Sequence, residues 1–220
     1  LRLGNGGTTG KLGSGSVVND SILEINRSNE YVLANAVSGK GDLVQNGTGT
    51  LVVSGMNTYG GKTVIRRGIL SVGEGGTTGS LGSGSIENDS ILRWNRSDTV
   101  SLNNAISGTG SLSKIGSGTL TLNGVNLYRG GTILSAGRLV AGSASAFGLG
   151  GIYLEGGTLD LNGKTTNNDL EVRGTASLLN AGFHKGSLMI GKGGALTVSG
   201  TARADSLLLD QGSVSGGILE

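Results

Sequence analysis

One phrase of this sequence is written twice. GTLVVSGMNTYGGKTVIRRGILSVG at residues 49–73 returns as GTLTLNGVNLYRGGTILSAGRLVAG at residues 118–142. The echo begins well before the phrase itself. GGTTG at 6–10 recurs at 75–79, LGSGS at 12–16 at 81–85, NDSIL at 19–23 at 88–92, and NRS at 26–28 at 95–97. The offset is 69 throughout, without a gap, and 37 of the 68 positions in 6–73 are identical to their partners in 75–142. A chain built from such units buries its apolar faces by stacking one unit on the next. From about Ala146 the copy decays into a divergent third unit, 146–220, in which glycine punctuation persists without residue-by-residue matching.

Within a unit the segments SILEIN, EYVLANAV, TLVVSG, KTVIRR and GILSVG are short, aliphatic and bounded by Gly, Asn or Ser, which reads as strands. Leu51 and Val53 share one side of such a strand, Thr50 and Val52 the other. No stretch carries a helical stripe, and each of the 45 glycines would cost about 1 kcal/mol relative to Ala inside a helix. The expected class is therefore all-β. A propeller would repeat roughly every 40–50 residues. The offset of 69 instead divides into three coils of 23. That fits a parallel β-helix of nine to eleven coils, a single solenoid over 1–220 with coils spaced about 4.8 Å apart. Corner Gly, Asn, Ser and Thr would allow tight, partly left-handed turns. With aromatics at 3%, the interior is expected to be Leu, Val, Ile and Ala. Because LRLGNGG starts in mid-pattern, the chain reads as a fragment of a longer rod.

The charge balance is nearly even, 17 Lys and Arg against 15 Asp and Glu, and no basic cluster exceeds Arg66-Arg67. Phosphate contacts need several converging cations, so nucleic acid is not an expected partner. No apolar run approaches the roughly 20 residues of a membrane-spanning helix. Zero cysteine excludes disulfides and thiolate metal ligands.

The doubled phrase carries eleven placed residues. They are Gly49, Leu51, Val53, Gly55, Asn57, Tyr59, Gly61, Thr63, Ile65, Gly68 and Leu70, then Gly118, Leu120, Leu122, Gly124, Asn126, Tyr128, Gly130, Thr132, Leu134, Gly137 and Leu139. This pattern closely resembles the passenger-associated transport repeat of autotransporters, the type V secretion proteins of Gram-negative bacteria. The resemblance implies a right-handed β-helical passenger, secreted or held at the cell surface. The all-β rhythm and the empty chemical inventory add the expectation of a rigid stalk or adhesin surface in host interaction or virulence. The resemblance also implies carriage across the outer membrane by a C-terminal barrel that is absent from these 220 residues. Its partner would be a host protein or glycan surface, and it would act neither as an enzyme nor with a cofactor.

Read physically, Asn57 and Asn126 suit turns, tolerating left-handed backbone and satisfying exposed backbone groups. Tyr59 and Tyr128 are expected to lay their rings on the rod with wet hydroxyls. His184, the one histidine, sits in AGFHKGS without a ligand pattern and reads as a surface turn residue. One alternative is a soluble passenger that engages a host receptor or serum protein; another is a glycan-degrading β-helix using Asp20, Asp89 or Asp160. At three coils, Asp20 and Asp89 would lie about 14 Å apart, beyond the roughly 5–9.5 Å of glycosidase pairs. GGTTG lacks the Asp of calcium-binding rolls, and the GSGS and GKGG runs lack a Walker lysine, so both read as turns. The sequons at Asn19, Asn26, Asn46, Asn88 and Asn95 read as incidental. Contact surfaces are expected around 26–41, 95–110 and 164–187.

Overall fold

The computed structural model describes residues 1–180 and 186–219, and every regular element in them is a strand. All strand pairs are parallel, each strand lying beside one from the neighbouring coil. The coils trace three faces. Face one carries Arg2–Leu3, Ile22–Ile25, Asp42–Gln45, Thr63–Ile65, Ile86–Asn88 and Ile106–Ser107. Face two holds ten strands, from Tyr31–Leu33 to Ser206–Leu209. Face three follows face two in each coil. It is formed by Val17–Val18 and Val37–Ser38 low in the stack, then by seven strands from Thr99–Leu102 to Ser213–Leu219. The ten strands of face two give a stack about 43 Å long at the usual strand spacing. Among the described residues no helix is long and apolar enough to cross a membrane.

Coil length is not constant, and this changes the reading of the repeat. Ile152 pairs with Leu170 at an offset of 18, Leu23 with Leu43 at 20, and Thr63 with Ile86 at 23. From Ile22 three coils lead through Asp42 and Thr63 to Ile86 on the same face, and Ile91 lies one face further. The repeat unit is thus three coils plus one face, not three coils of 23. Each copy is turned by a third of a coil against the previous one. Ile22–Ile25 lies on face one and its copy Ile91–Trp94 on face two. Thr50–Val53 lies on face two and its copy Thr119–Leu122 on face three. Val37–Ser38 lies on face three and its copy Ile106–Ser107 on face one. One sequence pattern therefore serves all three walls.

The inward side chains form ladders. On face two Leu51, Leu70, Leu92 and Leu112 stack in register, all fully buried. Beside them run Leu33, Val53, Val72, Trp94, Lys114, Leu134 and Leu154. Burying each leucine contributes about 2 kcal/mol of transfer free energy. At the corners one coil crosses the next without side-chain clearance. A Cβ on Gly118 would collide with the carbonyl oxygen of Asp98, one coil down, and Gly49 meets Asn29 in the same way. Neither glycine has a positive φ. They are glycine because of close approach, and among the motif's placed glycines the left-handed reading holds for Gly68 and Gly137, at φ 63° and 71°.

Two repeat-equivalent positions put long polar chains into the interior. Gln45 Nε2 donates to the carbonyls of Gly47 and Gly49, each at 3.0 Å. Lys114, its counterpart in the second copy, is fully buried between Trp94 and Leu134, its Nζ donating to Gly116 O and, at 3.2 Å, to Ala136 O. Burial lowers the Lys114 ammonium to about 8 from an ordinary 10.5. The unfolded chain then binds more protons than the folded one above pH 8, so stability rises with pH by up to about 1.4 kcal/mol per unit. Burial raises the Tyr59 and Tyr128 phenols above 10.0, so stability falls again once the unfolded tyrosines ionise. Urea unfolding followed across this range is expected to give maximal stability near about pH 9–10. Lys114→Met should remove the rise and add about 2–3 kcal/mol at neutral pH. In the same assay Gly118→Ala should cost about 3 kcal/mol or more. Gly76→Ala, at an open position without positive φ, should be near neutral.

Candidate functional site

The doubled motif forms a corner with a polar interior. Leu51 and Leu120 point inward and are fully buried, as are Val53, Leu122, Ile65, Leu134, Leu70 and Leu139. Gly49, Gly55 and Gly61, with Gly118, Gly124 and Gly130, stand where the coil below passes closest. Tyr59 and Tyr128 are not draped outside with wet hydroxyls. Both are fully buried, and each hydroxyl bonds a threonine one short turn further on, Tyr59 to Thr63 at 2.7 Å and Tyr128 to Thr132 at 2.6 Å. The ring fills the space where the coil turns, and the threonine removes the penalty of burying a phenol alone.

Asn57 and Asn126 satisfy backbone groups as expected, but from inside and without left-handed backbone. Asn57 Oδ1 accepts from Val37 N in the coil below at 2.8 Å, and its Nδ2 donates to Ser80 O above at 2.7 Å. Asn126 does the same between Ile106 N, at 2.9 Å, and Ala146 O, at 2.7 Å. Each amide replaces a strand hydrogen bond where the coil has no strand.

A third device escapes the sequence reading. Asn35 Nδ2 donates to Gly13 O and Gly15 O, Asn104 to Gly82 O and Gly84 O, and Asn168 to Gly148 O and Gly150 O, all between 2.6 and 3.0 Å. The divergent third unit therefore keeps a Gly-x-Gly seat clamped by an asparagine one coil further on. The changed spacing hides it from a fixed offset of 69. NRS is a clamp as well: Arg27 holds the carbonyls of Thr8 and Gly10, and Arg96 those of Thr77 and Gly79. Asp98 pairs with Arg96 at 2.6 Å, and that hydrogen bond holds the Asp98 carboxyl below its ordinary range.

The carboxylates considered for catalysis are likewise stitches between coils. Asp20 Oδ1 accepts from Lys40 N at 3.1 Å and Asp89 Oδ1 from Thr109 N at 3.0 Å. They stand at different corners, before face one and before face two, so a three-coil separation on one side does not apply. Burial acts to raise the Asp160 carboxyl, but Arg138, Asn180 and the Asn162 amide outweigh it and hold it below the ordinary range. Two sequon asparagines are buried ties, Asn19 to Asp42 O and Asn88 to Ser111 O, each at 2.9 Å. His184 lies outside the described residues. Among the described residues no three of His, Asp and Glu gather to hold a metal.

Against this scaffold one surface feature stands out by its charges. A cleft of about 210 Å³ on face two is lined by Glu30, Thr50, Ser71, Glu74, Arg93 and Asn95. Thr50, Ser71 and Arg93 come from three successive strands and Glu30 from the coil before, so the cleft runs about 14 Å along the axis. Among the described residues no ion pair or hydrogen bond engages the side chains of Glu30, Glu74 or Arg93. The duplication does not preserve them: Glu30 and Glu74 give way to Thr99 and Ser143 in the next unit, and Arg93 stands where the first copy has Glu24. The contact stretches expected at 26–41, 95–110 and 164–187 touch this cleft only through Glu30 and Asn95.

The family model of the passenger-associated-transport-repeat matches residues 43–72 and 112–141. The adhesin BmaC autotransporter of Brucella suis biovar 1 is 46% identical over 78 residues, 36% of this chain and 2% of that protein. The uncharacterized lipoprotein YdeK of Escherichia coli K12 is 33% identical over 142 residues, 63% of this chain and 10% of its own length. The Neisserial autotransporter lipoprotein NalP of Neisseria meningitidis serogroup B is 33% identical over 138 residues, 56% of this chain and 12% of its own. The chain thus spans between 2% and 12% of the length of these curated relatives. No solved structure matches it. Two matched transport repeats thus stand at the corners of a parallel coil stack, and in this stretch the chain is similar to the autotransporters BmaC and NalP, which supports reading it as passenger of that kind, at the bacterial surface or released from it.

Proposed function

We propose that this stretch is a rigid spacer that also carries a contact surface for host molecules, an adhesin-type role, with the cleft on face two as the contact point. One observation carries the reading. The duplication preserves the corners and the inward ladders, whereas Glu30, Glu74 and Arg93 break it on an outward face and have no partner among the described residues. Residues that hold the stack together must be copied with it, whereas a binding surface is free of that demand. The ligand is a charged host protein segment or a charged glycan, with an anionic group for Arg93 and cationic or hydroxyl groups for Glu30 and Glu74. Thr50 and Asn95 add hydroxyl and amide partners along the same line, whereas the buried Ser71 hydroxyl is spent on Gly73 O. Contact with the outer membrane would run through a C-terminal barrel, which these 220 residues do not include. An enzymatic reading draws no support from Asp20, Asp89 or Asp160, since each is spent on backbone or arginine ties.

Capture from host serum and cell extracts, together with a charged-glycan array, tests the proposal. Binding should weaken as salt is raised, and the Arg93→Glu, Glu74→Lys double variant should lose about tenfold or more in affinity while keeping its β-sheet spectrum. Unchanged binding by that variant would remove the cleft from the mechanism.

A further inference from the structure

Four asparagines are followed directly by glycine, at 5–6, 46–47, 123–124 and 162–163. An Asn-Gly pair can close on itself, because glycine has no Cβ to hinder the approach of its amide nitrogen to the asparagine Cγ. Closure needs that nitrogen free, since an amide tied to a carbonyl must first give up its bond. In three of the pairs it is tied to a neighbouring coil. Gly6 N donates to Asn26 O at 2.8 Å, Gly47 N to Ile25 O at 3.2 Å and Gly163 N to Asn180 O at 3.0 Å. Gly124 N donates to nothing among the described residues.

The free amide is an exception in this fold. In the first copy Leu33 O takes both Ser54 N and Gly55 N, the counterparts of Asn123 and Gly124, at 3.1 and 3.2 Å. Ile25 O, Trp94 O, Leu134 O and Leu154 O are shared in the same way by a corner residue and the glycine after it. Leu102 O instead takes Asn123 N alone, at 2.9 Å. The Asn123 side chain is exposed, its Nδ2 donating to Asn103 Oδ1 at 2.7 Å. We propose that Asn123-Gly124 is a modification site, where the corner geometry directs spontaneous deamidation. Gly124 N gives up its proton and attacks Asn123 Cγ. The new C–N bond closes a cyclic imide, and the Cγ–Nδ2 bond breaks to release ammonia. Water then opens the ring at either carbonyl, giving aspartate or isoaspartate; one water is consumed, one ammonia leaves, and nothing is oxidised or reduced. Either product replaces the donor that met Asn103 Oδ1 with a carboxylate, and isoaspartate also adds a carbon to the backbone at the corner. That corner has no slack, because Gly142 of the next coil crosses so closely that a Cβ on it would overlap Asn123 Oδ1.

The test is incubation of the folded chain at mildly alkaline pH, then peptide mapping for isoaspartate and for the mass change of amide to acid. Asn123 should convert at least about tenfold faster than Asn5, Asn46 or Asn162. In the urea-unfolded chain the four rates should agree within about threefold, because no glycine amide is tied there. Without any chemistry, hydrogen exchange should show the Gly124 amide exchanging at least about tenfold faster than those of Gly47 and Gly163. The aged chain should melt about 3 °C lower or more, whereas Asn123→Ser, which places the first-copy residue at this corner, should keep its melting temperature when aged alongside. A Gly124 amide as protected as that of Gly47 would overturn the inference. So would a folded chain in which Asn46 or Asn162 converts first or all four convert alike, or an aged Asn123→Ser chain that loses as much stability as the unsubstituted one.

Discussion

Successive coils lie one strand spacing apart all the way round, including at the corners. On the faces this suits any strand, because side chains alternate in and out and the backbone pairs with its neighbours. At a corner the backbone turns across the coil below, and a carbonyl oxygen occupies the space of a Cβ. The glycines at 41, 49, 55, 61 and 68, and their copies, answer this one constraint. Their fixed places in the sequence follow from it, more than from any demand for unusual backbone angles.

Where no strand forms, the corner leaves backbone amides and carbonyls without ladder partners, and burying them bare would cost about 1–3 kcal/mol each. The interior answers with side chains. Asn57 and Asn126 bridge upward and downward, Asn35, Asn104 and Asn168 clamp glycine carbonyls, and the Asp20 and Asp89 carboxylates take amides of the next coil. Tyr59 and Tyr128 bring bulk that aliphatic ladders cannot supply at a turn, each with a threonine for its hydroxyl. Lys114 is the imperfect member of the set. It occupies the position of Gln45 as a cation with carbonyl partners and no carboxylate, which is why burial presses its proton off.

The all-strand character, the stacking and the aliphatic interior were legible, because alternation and glycine punctuation state them in every unit. The number of coils per unit was not. Dividing 69 by three assumes a whole number of turns, and a sequence period does not reveal a rotation of one face between copies. The tyrosines were misplaced because a phenol beside Asn and Gly looks like a surface turn. The overlooked signal was the threonine that follows each one at the same spacing, Thr63 and Thr132. The Gly-x-Gly seat of the third unit escaped because insertions and deletions changed its distance from the second. A search at fixed offset cannot follow coils whose pairing offsets vary from 17 to 23.

The rotation between copies also bears on where a partner can be met. If each unit were a whole number of coils, duplication would lay identical side chains along one line of the rod, and any binding feature would be multiplied on that face. With a third of a coil added, the loops at 6–10 and 75–79 leave the rod at different corners, and each outward face becomes a mosaic of different parts of the unit. Outward residues are then free to diverge without disturbing the ladders behind them. The change from Glu30 to Thr99 shows it: one stands just before a strand, the other begins one, and both are exposed. A repetitive scaffold of this kind can thus hold a non-repeated patch of unpaired charge, and on this chain that patch lies on face two.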